Sequence, residues 1–376
     1  MLIVALWRGD VPAHDASAWG GLFRTRDAGA TWLPVNPASF VSGALAVAVS
    51  PVDPNHLLLA TETGVSRSRN GGRDWTLEAR DLLVGPTFAV AFDVDGEHAL
   101  VAGASGIFRS DGDRWRPLRA PAGTVPPWSL VSGSTRGRVY VGGLASLHRS
   151  DDWGDSWVAV GGGLPEGRAS AIVLDRDRAE QVGAVAGGRY WLSTDAGRSW
   201  QPRENGLPER EIDVVAIDPS NPHRVWSVAA GQVLRTDDQG QRWRLVGLPL
   251  PDQPVVTHGM AVVGHVILVA TDRGLYRSAD GGARWSLVGA NLPAHLDAGL
   301  LVREPQSLTT IYAGFALTPR AELLRRAAEG GSPLARLDPV SVAGGLAFLA
   351  LLVLGAGVVI KRLARTHYRV SRSVLR

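Results

Sequence analysis

The feature that most constrains this chain is a short turn that returns with a nearly fixed period. "TRDAGATW" ends at Trp32, "SRNGGRDW" at Trp75, "SDDWGDSW" at Trp157, "STDAGRSW" at Trp200, "TDDQGQRW" at Trp243 and "SADGGARW" at Trp285. A shortened copy, "SDGDRW", ends at Trp115. The steps from Trp to Trp are 43, 40, 42, 43, 43 and 42 residues, so seven of the 13 tryptophans belong to one repeated device. A period in this range means a chain built from stacked supersecondary units.

Each box sits in the same surroundings. An alternating apolar run such as "ALAVAVS" is followed by a turn ("PVDPNH"), a second run ("LLLATET"), a third ("GVSRS"), the box, and a last strand opening at the Trp ("DWTLEA"). Period-two runs bounded by Gly, Pro, Asn and Asp predict antiparallel strands. Four strands in a unit of this length make one propeller blade, with the box in the hairpin between third and fourth strands. There Ser/Thr and Asp side chains can bond turn amides, Gly tolerates positive φ, and Trp packs on the neighbouring sheet. Asp27, Asn70, Asp152, Asp195, Asp238 and Asp280 are read as structural, together with Trp32, Trp75, Trp115, Trp157, Trp200, Trp243 and Trp285. Asn70 in place of Asp, and the deletion at Trp115, predict looser hairpins.

The fold expected is all-β, a seven-bladed propeller of four-stranded blades over residues 1–317. Residues 44–290 hold six complete units. The N-terminus opens inside a unit, with "LIVAL" as a second strand, and "AGLLVRE" (298–304) supplies the missing first strand. Reading "IYAGFAL…LLRRAAEGG" as a further unit gives eight blades as the alternative, and 318–339 is taken as a degenerate repeat and linker.

Ser/Thr-x-Asp-x-Gly-x-x-Trp resembles the Asp-box, or bacterial neuraminidase repeat, of sialidases, sortilin-type receptors and the photosystem II stability/assembly factor family. "DPSNP" at 218–222 and "PVDPN" at 51–55 are closer in pattern to the latter two groups. The resemblance implies the propeller fold. From the assembly factors it implies a platform that helps build a membrane protein complex, and from sialidases a glycosidase.

Residues 340–360, "VSVAGGLAFLALLVLGAGVVI", are an uncharged run of 21. As a helix this is about 31 Å, which predicts a single transmembrane span. Lys361, Arg362, Arg365, Arg369, Arg372 and Arg376 follow in a tail over 361–376. The positive-inside rule then puts that basic tail in the cytoplasm and the propeller outside the cell membrane. The N-terminus lacks a signal-peptide pattern. The alternatives are a start upstream of Met1 and a tail-anchored protein with a cytoplasmic propeller.

Chemistry is sparse. The chain has no cysteine, which removes disulfides and thiolate sites, and its one lysine lies in the tail, which removes a phosphate loop ending in Gly-Lys. The nine histidines are scattered. No metal, cofactor or nucleic-acid partner is expected. Arg24, Arg67, Arg109, Arg149, Arg235 and Arg277 share one repeat position before the box and are spread round the ring, which favours a structural role. The sialidase constellation is not matched: Arg-Ile-Pro is missing, and Tyr140, Tyr190, Tyr276 and Tyr312 lie in strand patterns.

A partner-binding face is therefore sought opposite the boxes, where the enlarged loop 7–19 carries Arg8, Asp10, His14 and Asp15 between Trp7 and Trp19. The same face should hold Glu62, Arg168, Arg210, Asp213, His258, Asp272, Arg273, His295 and Asp297. Mixed charge with aromatics round a channel mouth suits a protein partner. The expectation is a membrane-anchored, non-catalytic assembly platform. An exo-sialidase-like glycoside hydrolase and a receptor for glycans or other ligands are the alternatives.

Overall fold

The computed structural model describes residues 20–35, 43–79 and 85–329, apart from 113, 125, 128, 168, 290, 294–296, 317 and 319. Seven antiparallel four-stranded sheets form a closed ring. Blades one to six run in chain order, and their first strands are Ala44–Val49, Thr87–Phe92, Ser129–Ser132, Ala171–Leu174, Val214–Asp218 and Thr257–Val263. First strands of neighbouring blades pack on one another right round the ring, so they line the axis. Most fourth strands are two exposed residues at the rim, such as Thr76–Leu77.

Blade seven closes the ring with strands from both ends of the described chain. Asp297–Arg303 and Ile311–Ala316 are its first and second strands, and Gly21–Thr25 and Leu33–Pro34 its third and fourth. Phe23 pairs with Ala313 and Arg24 with Tyr312. The second strand is therefore Ile311–Ala316 and not "LIVAL", which lies outside the described residues. With "IYAGFA" used inside blade seven, the count is seven.

Seven apolar clusters hold the ring, one per seam. At the seam of blades seven and one, Leu22 and Tyr312 meet Leu57 and Leu59, all fully buried. Each fully buried side chain of this size contributes about 1.5–3 kcal/mol. Alternation puts one face of a sheet against each neighbour, so every blade is buried on both sides.

Helix α1 (Arg320–Ala328) follows blade seven. Leu323 and Leu324 bury against Leu45, Phe88 and Ala316, and Arg320 donates to the Phe88 carbonyl at 3.0 Å. Leu45 and Phe88 begin first strands and Ala316 ends a second, so α1 covers the axis end opposite the boxes.

The expected transmembrane helix is corrected here. Among the described residues no helix is long and apolar enough to cross a membrane. Their one α-helix has nine residues, about 13.5 Å against the roughly 30 Å required. Residues 340–360 and the basic run 361–376 lie outside the described residues. The single-pass topology, the membrane as partner, the cell-membrane location and the anchored assembly role have no structural support and are withdrawn.

Candidate functional site

The box turn is built by its own side chains. In the first copy Thr25 Oγ1 accepts from Gly29 N at 2.9 Å, while Asp27 accepts from Thr31 N at 2.8 Å and Thr31 Oγ1 at 2.6 Å. The copies at Asp152 and Asp195 repeat this with Ser156 and Ser199. Burial pushes the Asp27 carboxyl up, but the bonds from Thr31 and Thr25 outweigh it and bring it to about 2. The Ser199 hydroxyl leads the bonds that bring Asp195 to about 2. The residue before the box Gly is left-handed as well, at φ 54° for Ala28, 56° for Trp153 and 57° for Ala196. At the Gly itself close approach adds a second constraint: a Cβ on Gly29 would lie 2.7 Å from Leu268 of blade six.

The box also joins blades. In four copies the carbonyl of the residue before the Gly accepts from the repeated arginine of the preceding blade. Arg24 reaches Gly71 O at 3.0 Å, Arg109 reaches Trp153 O at 3.1 Å, Arg149 reaches Ala196 O at 2.7 Å and Arg277 reaches Ala28 O at 3.1 Å. In return, the box indole donates to a carbonyl near the preceding fourth strand: Trp75 to Val35, Trp200 to Val160, Trp243 to Arg203. The structural reading of these arginines thus acquires a mechanism. Arg67 faces the shortened box, which lacks that carbonyl. Its guanidinium instead contacts His56 Nε2 at 2.7 Å and donates to Glu78 at 3.0 Å, and Glu78 accepts from the Trp115 indole at 2.6 Å.

Neither departure from the box is loose. The shortened copy is a tight hairpin pairing Asp111 with Arg114, with a five-residue fourth strand, Arg114–Leu118. Asn70 keeps the turn through Asp74, whose amide donates to Asn70 Oδ1 at 2.9 Å.

Of the residues expected on the face opposite the boxes, Arg8, Asp10, His14, Asp15, Arg168 and His295 lie outside the described residues. The structure brings three of the others together across seams. Thr257 Oγ1 donates to Asp213 at 2.7 Å, and His258 Nε2 lies 2.9 Å from Asp297 Oδ1. Burial raises the Asp213 carboxyl above its ordinary range. Glu62, half-buried, is also raised by burial, with Arg326 of α1 offsetting part of it. Asp272 accepts from Val256 N at 3.0 Å beside Arg273, and Arg210 is exposed on the loop before blade five. Three of the seven described residues of this set are thus occupied in joining blades, and α1 covers part of the axis mouth the set was expected to surround.

The open concavity lies at the other end of the axis. A cavity of about 690 Å³ opens on the box face, walled by Val49, Val94, Val131, Leu174 and Val302. Arg176 from blade four and Arg303 from blade seven line it from nearly opposite sides. Arg176 Nη1 spans the mouth to the Pro305 carbonyl at 2.6 Å, and Arg303 Nη1 donates to Ser307 O at 3.2 Å. Burial, then the neighbouring Arg176, holds the Arg303 guanidinium below its ordinary value. Sequence reasoning missed this site. Arg176 stands just past the first strand of blade four and Arg303 ends that of blade seven, both outside the repeated arginine position, and only ring closure brings them together.

The strand tyrosines are poor nucleophile candidates. Tyr140, Tyr190, Tyr276 and Tyr312 are all at most 1% exposed. Burial pushes Tyr140 to about 12, and burial with a hydrogen bond to Asp252 does the same for Tyr276.

No family model matches the chain, and no curated protein matches it in sequence. Solved structures do. YCF48 bound to D1 peptide is similar at 17% identity with a TM-score of 0.56, over 74% of this chain and 92% of that one. YCF48 from Cyanidioschyzon merolae gives 16% and 0.58, over 74% and 97%. The extracellular domain of a one-component system from B. thetaiotaomicron gives 13% and 0.55, over 74% of this chain and 40% of that one. At these identities the likeness is one of fold, and the chain is a seven-bladed β-propeller resembling YCF48 and similar photosystem II assembly factors.

Proposed function

We propose that this chain is a non-catalytic, protein-binding propeller of the Asp-box class, and that a partner segment docks in the axial cavity on the box face. The observation carrying this reading is the cavity itself, about 690 Å³ with apolar walls and two arginines at its rim. Its volume falls in the range of ligand-binding clefts, and apolar surface with a few convergent polar groups is the usual composition of such sites. A propeller of similar shape, YCF48, has been captured with D1 peptide. The test is quantitative recovery of cross-linked partners from cells carrying tagged full-length chain. Ser134→Trp and Val94→Trp, which narrow the cavity, should each remove most of the recovered partner, while Arg273→Glu on the opposite face should not. Loss with Arg273→Glu and retention with both tryptophans would reject the cavity as the docking site.

A further inference from the structure

We infer that the segment received by the axial cavity carries a carboxylate beside an apolar side chain, and that Arg176 and Arg303 take that carboxylate. This rests on the docking reading above and adds the chemistry of the ligand. Each guanidinium has five N–H donors, yet the acceptors found for these two are the Pro305 and Ser307 carbonyls. Among the described residues neither forms an ion pair with an acid. Two acids lie nearby, and one of them, Asp175, also lines the cavity with its Oδ2 buried and without a hydrogen-bond partner. Asp175 accepts from Asp177 N at 2.9 Å and lies 3.9 Å from Arg178. Asp218 accepts from Ser220 N at 2.9 Å and Ser220 Oγ at 2.6 Å, and lies 3.4 Å from Arg224. Two like charges therefore share an apolar rim, and Arg303 is disfavoured by burial and by Arg176, with the Asp218 charge offsetting part of this.

An incoming carboxylate relieves that repulsion, and arginine pairs with carboxylates through two parallel N–H···O bonds. The walls beneath, Val49, Val94 and Leu174, provide the apolar contact. At the far end Leu45 and Phe88 are closed over by α1, so the segment enters and leaves through the box face. The carboxylate can be a chain terminus or an Asp/Glu side chain. Both present the same group to the arginines.

The experiment uses four fluorescent octapeptides sharing one Leu/Val-rich core, titrated against the full-length chain by anisotropy. One ends in a free carboxylate, one in a carboxamide, one carries an internal Glu with an amidated end, and one carries Gln in its place. At least one acid peptide should bind tenfold or more tighter than its neutral counterpart, with the advantage shrinking as salt rises. Which acid peptide does so identifies the source of the carboxylate. The double variant Arg176→Gln/Arg303→Gln should lose the preference, while Arg176→Lys/Arg303→Lys keeps part of it and melts alongside wild type. Equal binding of all four peptides, no binding of any, or a preference surviving the Gln variant overturns the inference. Partner recovery separates the two claims. If the tryptophan variants abolish it and the double Gln variant leaves it intact, the docking site stands and the carboxylate chemistry falls.

Discussion

Asn70 and Asp74 exchange the roles that Asp27 and Thr31 play in the first box: Asn70 Nδ2 donates to Asp74 Oδ2 at 2.7 Å, whereas Thr31 Oγ1 donates to Asp27 Oδ2 at 2.6 Å. In these two copies the turn has one acceptor for a backbone amide and one donor–acceptor pair across four residues. It is indifferent to which end carries the acid. Asn70→Asp should therefore set two carboxylates against each other and cost about 1 kcal/mol, the worth of a typical hydrogen bond. Adding Asp74→Ser should restore most of it. A urea-unfolding double-mutant cycle checks this, and additive losses would show that the pair is not coupled.

The box carboxylates make acid a specific threat. Asp27 and Asp195 sit at about 2, below the roughly 3.9 of an unfolded aspartate. A depressed carboxyl stabilises the fold above its unfolded value, and that share is lost as pH falls. The melting temperature should drop between about pH 4 and pH 2. Over that window the gap between wild type and Asp195→Asn should close. A gap that stays constant down to pH 2 would contradict the assignment.

Blade seams should depend on the repeated arginine. Arg149 is 5% exposed and joins Ala196 O to Asp151. Arg149→Met keeps the apolar stem and should cost about 2 kcal/mol, the range for a hydrogen bond involving a charged group. Arg149→Lys should recover little, because one ammonium cannot reproduce the fork. Chemical denaturation of the two variants tests this, and a lysine variant as stable as wild type would remove the geometric argument.

Helix α1 should be separable from the ring. Leu323→Ala with Leu324→Ala removes its buried contacts with Leu45 and Phe88. Hydrogen exchange at those two amides should then accelerate at least tenfold while box amides keep their protection. Unchanged exchange at Leu45 and Phe88 would mean that α1 does not shield them.

The repeat made the blade and its hairpin legible, because the Ser/Thr–Asp–Gly–Trp spacing encodes local hydrogen bonds that need nothing beyond eight residues. Ring closure was half legible. Asp297–Arg303 was anticipated as a first strand, but Ile311–Ala316 is paired by a neighbour nearly three hundred residues away in sequence, Gly21–Thr25. The contacts of the candidate face were hidden for a related reason. Loop position could not show that Asp213, His258 and Asp297 meet partners across seams.

The most direct test of the docking site is site-specific photo-cross-linking in cells, with the probe at Ser134 in the cavity rim or at Arg273 on the opposite face. The account predicts partner adducts from position 134 that Val94→Trp suppresses, and few from 273. Adducts confined to position 273, unaffected by Val94→Trp, would contradict it.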